Sequence, residues 1–152
     1  MINFRVLIAT ALVFTASWAA AAVADGVIAV KSPYDAKETM NRFESIAKER
    51  GLTVFARIDH AAGAAKVGKT LRPTEVLIFG NPQGGTPLME CAQSAGIDLP
   101  LKALVWEDEA KQVWLGYNDA AYLAKRHGAA SCPAAEAIGK ALSGLSAAAV
   151  AR

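Results

Sequence analysis

"LIFGNPQGGTPLME", residues 77–90, passes from an apolar run through a glycine-rich turn into a pattern that reads as helix. Together with the three residues before it, "TEVLIF" (Thr74 to Phe79) is apolar throughout its second half, which suits a strand covered on both faces or central in a sheet. Thr86 followed by Pro87 marks a helix start, the hydroxyl capping and the proline giving up no needed amide. Leu88, Cys91, Ala92 and Ala95 then form one apolar stripe, and Gly96 closes the helix, leaving Ser94 in its middle. Strand, glycine loop and helix is also how a phosphate-binding loop is built. Gly80 and Gly85 have the spacing of G-x-x-x-x-G-K-[ST], but Thr86 and Pro87 stand where lysine and a hydroxyl residue belong. Without the lysine there is no point charge for a terminal phosphate, and Pro87 has no amide to offer. A nucleotide hydrolase is therefore rejected. A weaker reading keeps the amides around Gly84, Gly85 and Thr86 as a site for an anion or carbonyl at a helix N-terminus.

Elements of both kinds flank this stretch. "GVIAVKS" (Gly26 to Ser32) reads as a first strand. Asp35 and Glu38 form a capping box for a helix carrying Met40, Phe43 and Ala47, which Gly51 ends. Leu52, Val54, Ala56 and Ile58 alternate in a second strand, and Asp59 caps a short alanine-rich helix, "HAAGAAKV". Further on, "LPLKALVWED" and "KQVWLGYN" flank the acidic turn Glu107-Asp108-Glu109 as a hairpin. Asp119 caps "AAYLAKRH", and Pro133 opens a last amphipathic helix with Ile138, Ala141, Leu142 and Leu145. The order β-α-β-(α)-β-α-β-β-α-α predicts an α/β (α+β) two-layer sandwich in a single domain. About five strands form a mixed sheet covered by helices, because the hairpin interrupts any regular β-α alternation. A sheet face or edge left bare by such a layering needs cover, which makes a dimer the expected state.

The N-terminus reads as an export signal: Arg5, the apolar run Val6 to Phe14, and Ala22-Val23-Ala24 before Asp25. Cleavage after Ala24 leaves a single domain over residues 25–148, with 149–152 as a frayed tail, and sends the protein to the periplasm or outside the cell. The apolar segment falls short of the roughly 20 residues a lipid-spanning helix needs, so no membrane attachment is expected after cleavage. The chain has 16 basic and 14 acidic residues, interspersed and without a basic block. Nucleic-acid binding, which depends on neutralising phosphates, is excluded on that balance. In an oxidising compartment Cys91 and Cys132 can pair as a disulfide, while a buried apolar role for Cys91 is the alternative.

Several segments together resemble one family. "ARIDHAAGA", "LRPTEVLIFGNPQGGTPLM", "DLPLKALVWED", "VWLGYND" and "YLAKRHG", spread over Leu52 to Gly128, are similar in content and order to the domain of unknown function 302 family. The resemblance implies a small α/β domain that commonly forms homodimers, and it implies no activity. The cysteine pair is outside the motifs that carry the likeness.

Candidate chemistry is sparse. His60 and His127 are the two histidines, each able to serve as a general base in a hydrolase-like enzyme, or as a metal ligand. No metal-ligand spacing is present, so no metal and no cofactor is expected. The plainer roles are a helix-start residue near Asp59 for His60 and a last-turn cation for His127. Glu107 and Asp108 are adjacent on a strand and face opposite ways, which prevents them from acting on one substrate as an acid/base couple. No G-x-S-x-G occurs and Ser94 has no base nearby in sequence, so nucleophilic catalysis has no sequence support. His60, Asn81, Thr86, Glu107 and Asn118 all fall at strand ends or the starts of following helices. Such ends form the ligand crevice in α/β sheets, so the sequence favours a small-ligand pocket lined by these five residues. A structural or interaction protein without such a site is the third reading.

Overall fold

The computed structural model describes residues 24–152. The expected export signal, residues 1–24, lies almost wholly outside them. In chain order the elements are β1 (Val27–Ser32), α1 (Ala36–Glu49), β2 (Thr53–Asp59), α2 (His60–Lys66), β3 (Thr74–Gly80), α3 (Pro82–Cys91), a 3-10 turn (Gln93–Ile97), β4 (Leu101–Glu107), β5 (Val113–Asn118), α4 (Ala120–Arg126) and α5 (Pro133–Val150). The strands form one sheet in the order β1-β5-β4-β3-β2. The α/β sandwich is as the sequence indicates, with a difference in the sheet: every neighbouring pair is antiparallel, where a mixed sheet was expected. β2 to β5 run as a meander and β1 joins its far side. β1 and β2 consequently point the same way from opposite edges, and α1 crosses the strands between them, so a parallel direction exists without a parallel pair.

Local chemistry sets the helix starts. The side chains of Asp35, Asp59 and Asp119 accept from the amides of Glu38, Ala62 and Ala121 at 2.7, 2.8 and 2.9 Å, as N-caps do. α1 buries Met40, Phe43 and Ala47 against the sheet, and Phe43 meets Phe79 of β3 edge to face at 5.2 Å between ring centres. Leu77, Phe79, Ala103, Val105, Val113, Leu115 and Tyr117 supply the sheet's half of the core, and Leu123, Ile138, Leu142 and Leu145 close it from α4 and α5. A buried hydroxyl pair, Ser32 and Thr39 at 2.7 Å, is satisfied because Thr39 also reaches the Asp35 carbonyl.

The opposite sheet face carries Ala56, Ile58, Val76, Ile78, Leu104, Trp106 and Trp114, and none of these is fully buried. Trp106 and Trp114 stack with ring centres 6.3 Å apart. A Cβ on Gly116 would lie 2.8 Å from the Trp106 ring, so a glycine there lets the indole lie flat on the sheet. At the β4–β5 turn one Asp108 oxygen accepts from the amides of Ala110 and Gln112 and the other from the Trp114 indole at 2.8 Å. The acidic turn is thus organised by one of its three acids. The indole hydrogen bond, ahead of those from the backbone, holds the Asp108 carboxyl below its ordinary value.

The C-terminal segment departs from expectation. α5 continues to Val150 and Ala149 is fully buried, where a frayed tail was expected from 149 on. Arg42 donates to the carbonyls of Ala149 and Ala151, both at 2.7 Å, and the Tyr34 hydroxyl donates to that of Ala151 at 2.6 Å. These donors satisfy carbonyls that no further turn can reach, at the negative end of the helix dipole. Arg42→Ala is expected to lower stability by about 2 kcal/mol, the scale of hydrogen bonds from a charged group, read as a reduced midpoint in urea unfolding. Asp108 contributes stability above its unfolded pKa and loses it as pH falls through the lower folded value. Asp108→Asn is therefore expected to show a smaller drop in Tm than the wild type between about pH 5 and about pH 3.

Candidate functional site

Strand direction separates the five candidate residues. In an antiparallel sheet C-terminal ends alternate between the two ends of the sheet. Gly80 of β3 and Asn118 of β5 stand at one end, Asp59 of β2 and Glu107 of β4 at the other. A strand of seven residues at roughly 3.3 Å per residue puts these ends about 20 Å apart. His60, exposed as the first residue of α2, and Glu107, whose carboxylate meets Lys111 at 3.1 Å, therefore lie away from Asn81 and Thr86. Asn118 shares the Asn81 end but stands two strands away on β5. The crevice rule used on the sequence belongs to parallel sheets, in which all C-terminal ends coincide.

A cavity of about 750 Å³ occupies the Asn81 end, between α3 and α5. Leu52 and Phe55, Leu99 to Leu101 and Met89 form its floor and side. Pro133, Ala137, Ile138, Ala141 and Leu145 of α5 form the opposite wall. Ala137 and Ala141 are exposed and mark its open side. The polar side chains on the lining are Asn81, Gln83 and Thr86. A mainly apolar cleft of this size with a few polar groups is the usual form of a small-molecule site.

The glycine stretch forms the near wall differently from the sequence reading. α3 begins at Pro82, so Gly84, Gly85 and Thr86 lie inside its first turns and Thr86 is not its cap. Asn81 is: its side chain accepts from the Gly84 amide at 2.7 Å and its carbonyl from the Gly85 amide at 3.1 Å. The Gly84 and Gly85 amides proposed to cradle an anion are therefore spent on Asn81, with Pro82 and Pro87 offering none. The physical reason is that Asn81-Pro82 supplies a cap and a preset first helical φ, enough to carry two glycines into the helix. Pro87, further in, leaves the Gln83 carbonyl without its helical partner.

Below the cavity, Cys91 at the end of α3 is bonded to Cys132 at the start of α5, with Cα atoms 6.1 Å apart. The disulfide ties the two cavity walls together. Beside it lies a group that the sequence did not reveal. Ser94 sits in the 3-10 turn rather than in mid-helix, with its Oγ 2.9 Å from His127 Nδ1. His127 Nε2 is 2.7 Å from Asp98 Oδ2, and Arg126 reaches both Asp98 oxygens at 2.9 and 3.1 Å. His127 is the C-cap of α4, and both of its ring nitrogens have hydrogen-bond partners. Separations of about thirty residues leave no sequence signal for this grouping. Elsewhere, Arg57 links Glu75 and Glu44 at 2.6 and 3.1 Å across β2, β3 and α1. The hydrogen bond from Lys48, and after it the one from Arg57, holds the Glu44 carboxyl below its ordinary value despite partial burial. Among the described residues no group of three or more His, Cys, Asp or Glu is placed to hold a metal ion.

A single antiparallel sheet layered on one side by helices defines a small α/β domain class of the kind the sequence resembles. The family model for the domain of unknown function DUF302 matches residues 28–148, and the chain belongs to that family. Among solved structures, the crystal structure of an uncharacterised conserved DUF302 protein from Bacillus stearothermophilus is similar with a TM-score of 0.66 and 22% identity, over 84% of this chain and 97% of that one. At that identity the likeness concerns the fold. Among curated proteins the chain is 48% identical over 108 residues to fluoride-specific ion channel FluC 1 of Brucella suis, covering 71% of this chain and 42% of the channel protein. A Brucella abortus FluC 1 matches at the same identity with 40% of its length covered. The chain thus spans about two-fifths of these relatives. No helix of the described residues is long and apolar enough to cross a membrane.

Proposed function

We propose that the protein is an exported domain that binds a small apolar or amphipathic molecule in the cleft between α3 and α5. The observation that carries this reading is the cavity itself, a space of about 750 Å³ walled by prolines, leucines and alanines with Asn81, Gln83 and Thr86 at one rim. Apolar surface in such a cleft favours burial of an apolar body by about 25 cal/mol per Å² removed from water. The three polar side chains then orient whatever headgroup the ligand carries. Of the five residues singled out in the sequence, Asn81 and Thr86 keep a ligand-binding role in this proposal. Export follows from the N-terminal sequence pattern. The fluoride-channel relatives support the idea that such a domain can share a chain with a membrane channel. Channel activity is not proposed for this protein.

The bare sheet face supports self-association. Antiparallel sheets usually turn a polar face to water, and a face of Ile58, Val76, Ile78, Leu104 and two stacked tryptophans calls for cover. A second copy, joined face to face, is the occupant proposed here.

Two outcomes are expected. N-phenyl-1-naphthylamine should bind the mature protein saturably with a blue-shifted emission. Ala141→Trp, filling the cleft from its open side, should weaken that binding at least tenfold while leaving the circular dichroism unchanged; equal binding by both proteins would sink the proposal. In sedimentation, the wild type should run as a dimer at micromolar concentration and Leu104→Glu as a folded monomer, and a monomeric wild type would refute the second copy.

A further inference from the structure

Ser94, His127 and Asp98 form a hydrogen-bonded relay outside the cleft proposed for ligand binding. Asp98 takes up the hydrogen on His127 Nε2 at 2.7 Å. In the neutral ring this leaves Nδ1 bare, and the group 2.9 Å from it, the Ser94 hydroxyl, must then donate. The direction of the relay is therefore hydroxyl to imidazole to carboxylate, the direction that activates an alcohol as a nucleophile. The two ring nitrogens are used in the opposite sense from the serine-protease template, where the hydroxyl meets Nε2. Proton transfer requires only that the nitrogen facing the hydroxyl be unprotonated.

Burial is graded along this relay. The side chains of His127 and Asp98 are 8% and 14% exposed, while Ser94 is an exposed residue. A base and its orienting carboxylate shielded from water, with the nucleophile open to a reactant, is the distribution a covalent site needs. A purely structural tie between α4 and the 3-10 turn is already provided by Arg126 on both Asp98 oxygens, and it does not require a hydroxyl on Nδ1. In a 3-10 helix residues i and i+3 eclipse, so Ile97 stands beside Ser94, and Ile97 is 75% exposed. An exposed apolar side chain next to the nucleophile favours a reactant with an apolar group near its carbonyl.

We infer that Ser94 is an acyl-accepting nucleophile, with His127 as its general base, that cleaves carboxylic esters with small apolar acyl groups. Ser94 Oγ bonds to the ester carbonyl carbon as its proton passes to His127 Nδ1. The bond to the leaving alkoxide then breaks, and the alkoxide takes that proton and departs as an alcohol. Water next attacks the acyl-serine, giving its proton to Nδ1. Collapse returns the proton to Oγ and releases the carboxylic acid. Asp98 acts as a positioning residue that keeps the hydrogen of the neutral ring on Nε2.

The test uses the full mature domain with its disulfide intact, p-nitrophenyl butyrate as substrate and a fluorophosphonate as covalent probe. Peptide mass mapping is expected to find the probe on Ser94, with the exposed serines Ser45 and Ser143 unlabelled. Ser94→Ala, at an exposed position, should keep its Tm and lose both labelling and turnover. His127→Gln should slow labelling about a hundredfold or more, the lower range for general-base catalysis. Nitrogen-15 NMR should show the Nε2–H tautomer in the wild type and a mixture in Asp98→Ala. Labelling spread equally over all exposed serines, turnover unchanged in Ser94→Ala, or a Nδ1–H tautomer would each overturn the inference. The cleft-binding proposal stands or falls separately, since Ala141→Trp leaves Ser94 untouched.

Discussion

The strands β3, β4 and β5 turn Leu77 and Phe79, Ala103 and Val105, and Val113, Leu115 and Tyr117 toward the helices, and a side-chain period of 2 sends the residues between them to the other face. The rest of the structure depends on this constraint. All the large fully buried side chains belong to the helix-covered side, so α1, α4 and α5 must share one layer. Because α1 and α5 pack together over the sheet, α3 is pushed to its margin. The cleft opens where α3 and α5 diverge, over the ends of β2, β3 and β4. The bare face and the cleft thus have one origin, a single helical layer on a sheet that is apolar on both sides.

Most of the fold was legible in the residues, and for local reasons. Asp35, Asp59 and Asp119 cap the helices they were expected to cap, since capping depends on a few consecutive residues. The strands of the β4–β5 hairpin and the two-layer order could also be read, because alternation and helical spacing are short-range patterns. The sheet's uniformly antiparallel pairing could not, since α1 returning the chain to the far edge is a tertiary choice. Applying to this sheet the crevice rule of parallel sheets is what gathers His60, Glu107 and Asn118 with Asn81 and Thr86.

The site was legible in its polar rim and hidden in its walls. Asn81 and Thr86 stand out as polar residues in a glycine loop. Ala137 and Ala141 look like ordinary alanines of an amphipathic helix, and only the divergence of α3 from α5 makes them a wall. The helix start was misplaced for a physical reason of its own: two consecutive glycines argue against helix, yet the Asn81 cap and Pro82 outweigh their cost. Ser94 was misread with it, because the chain changes from α-helix to 3-10 turn after Cys91 and rotates the hydroxyl toward α4.

The disulfide between Cys91 and Cys132 encloses a segment containing the 3-10 turn, β4, β5 and α4, a sequence separation of 41. Loop-closure entropy for that length disfavours the unfolded chain by about 4 kcal/mol. The topology has a further effect. A backbone break in the β4–β5 turn would divide the chain into two pieces that remain covalently joined, with four of the five strands on the first piece and β5 on the second. A molecule nicked there can therefore stay assembled, its two halves held in register by the bond that also ties the two walls of the cleft.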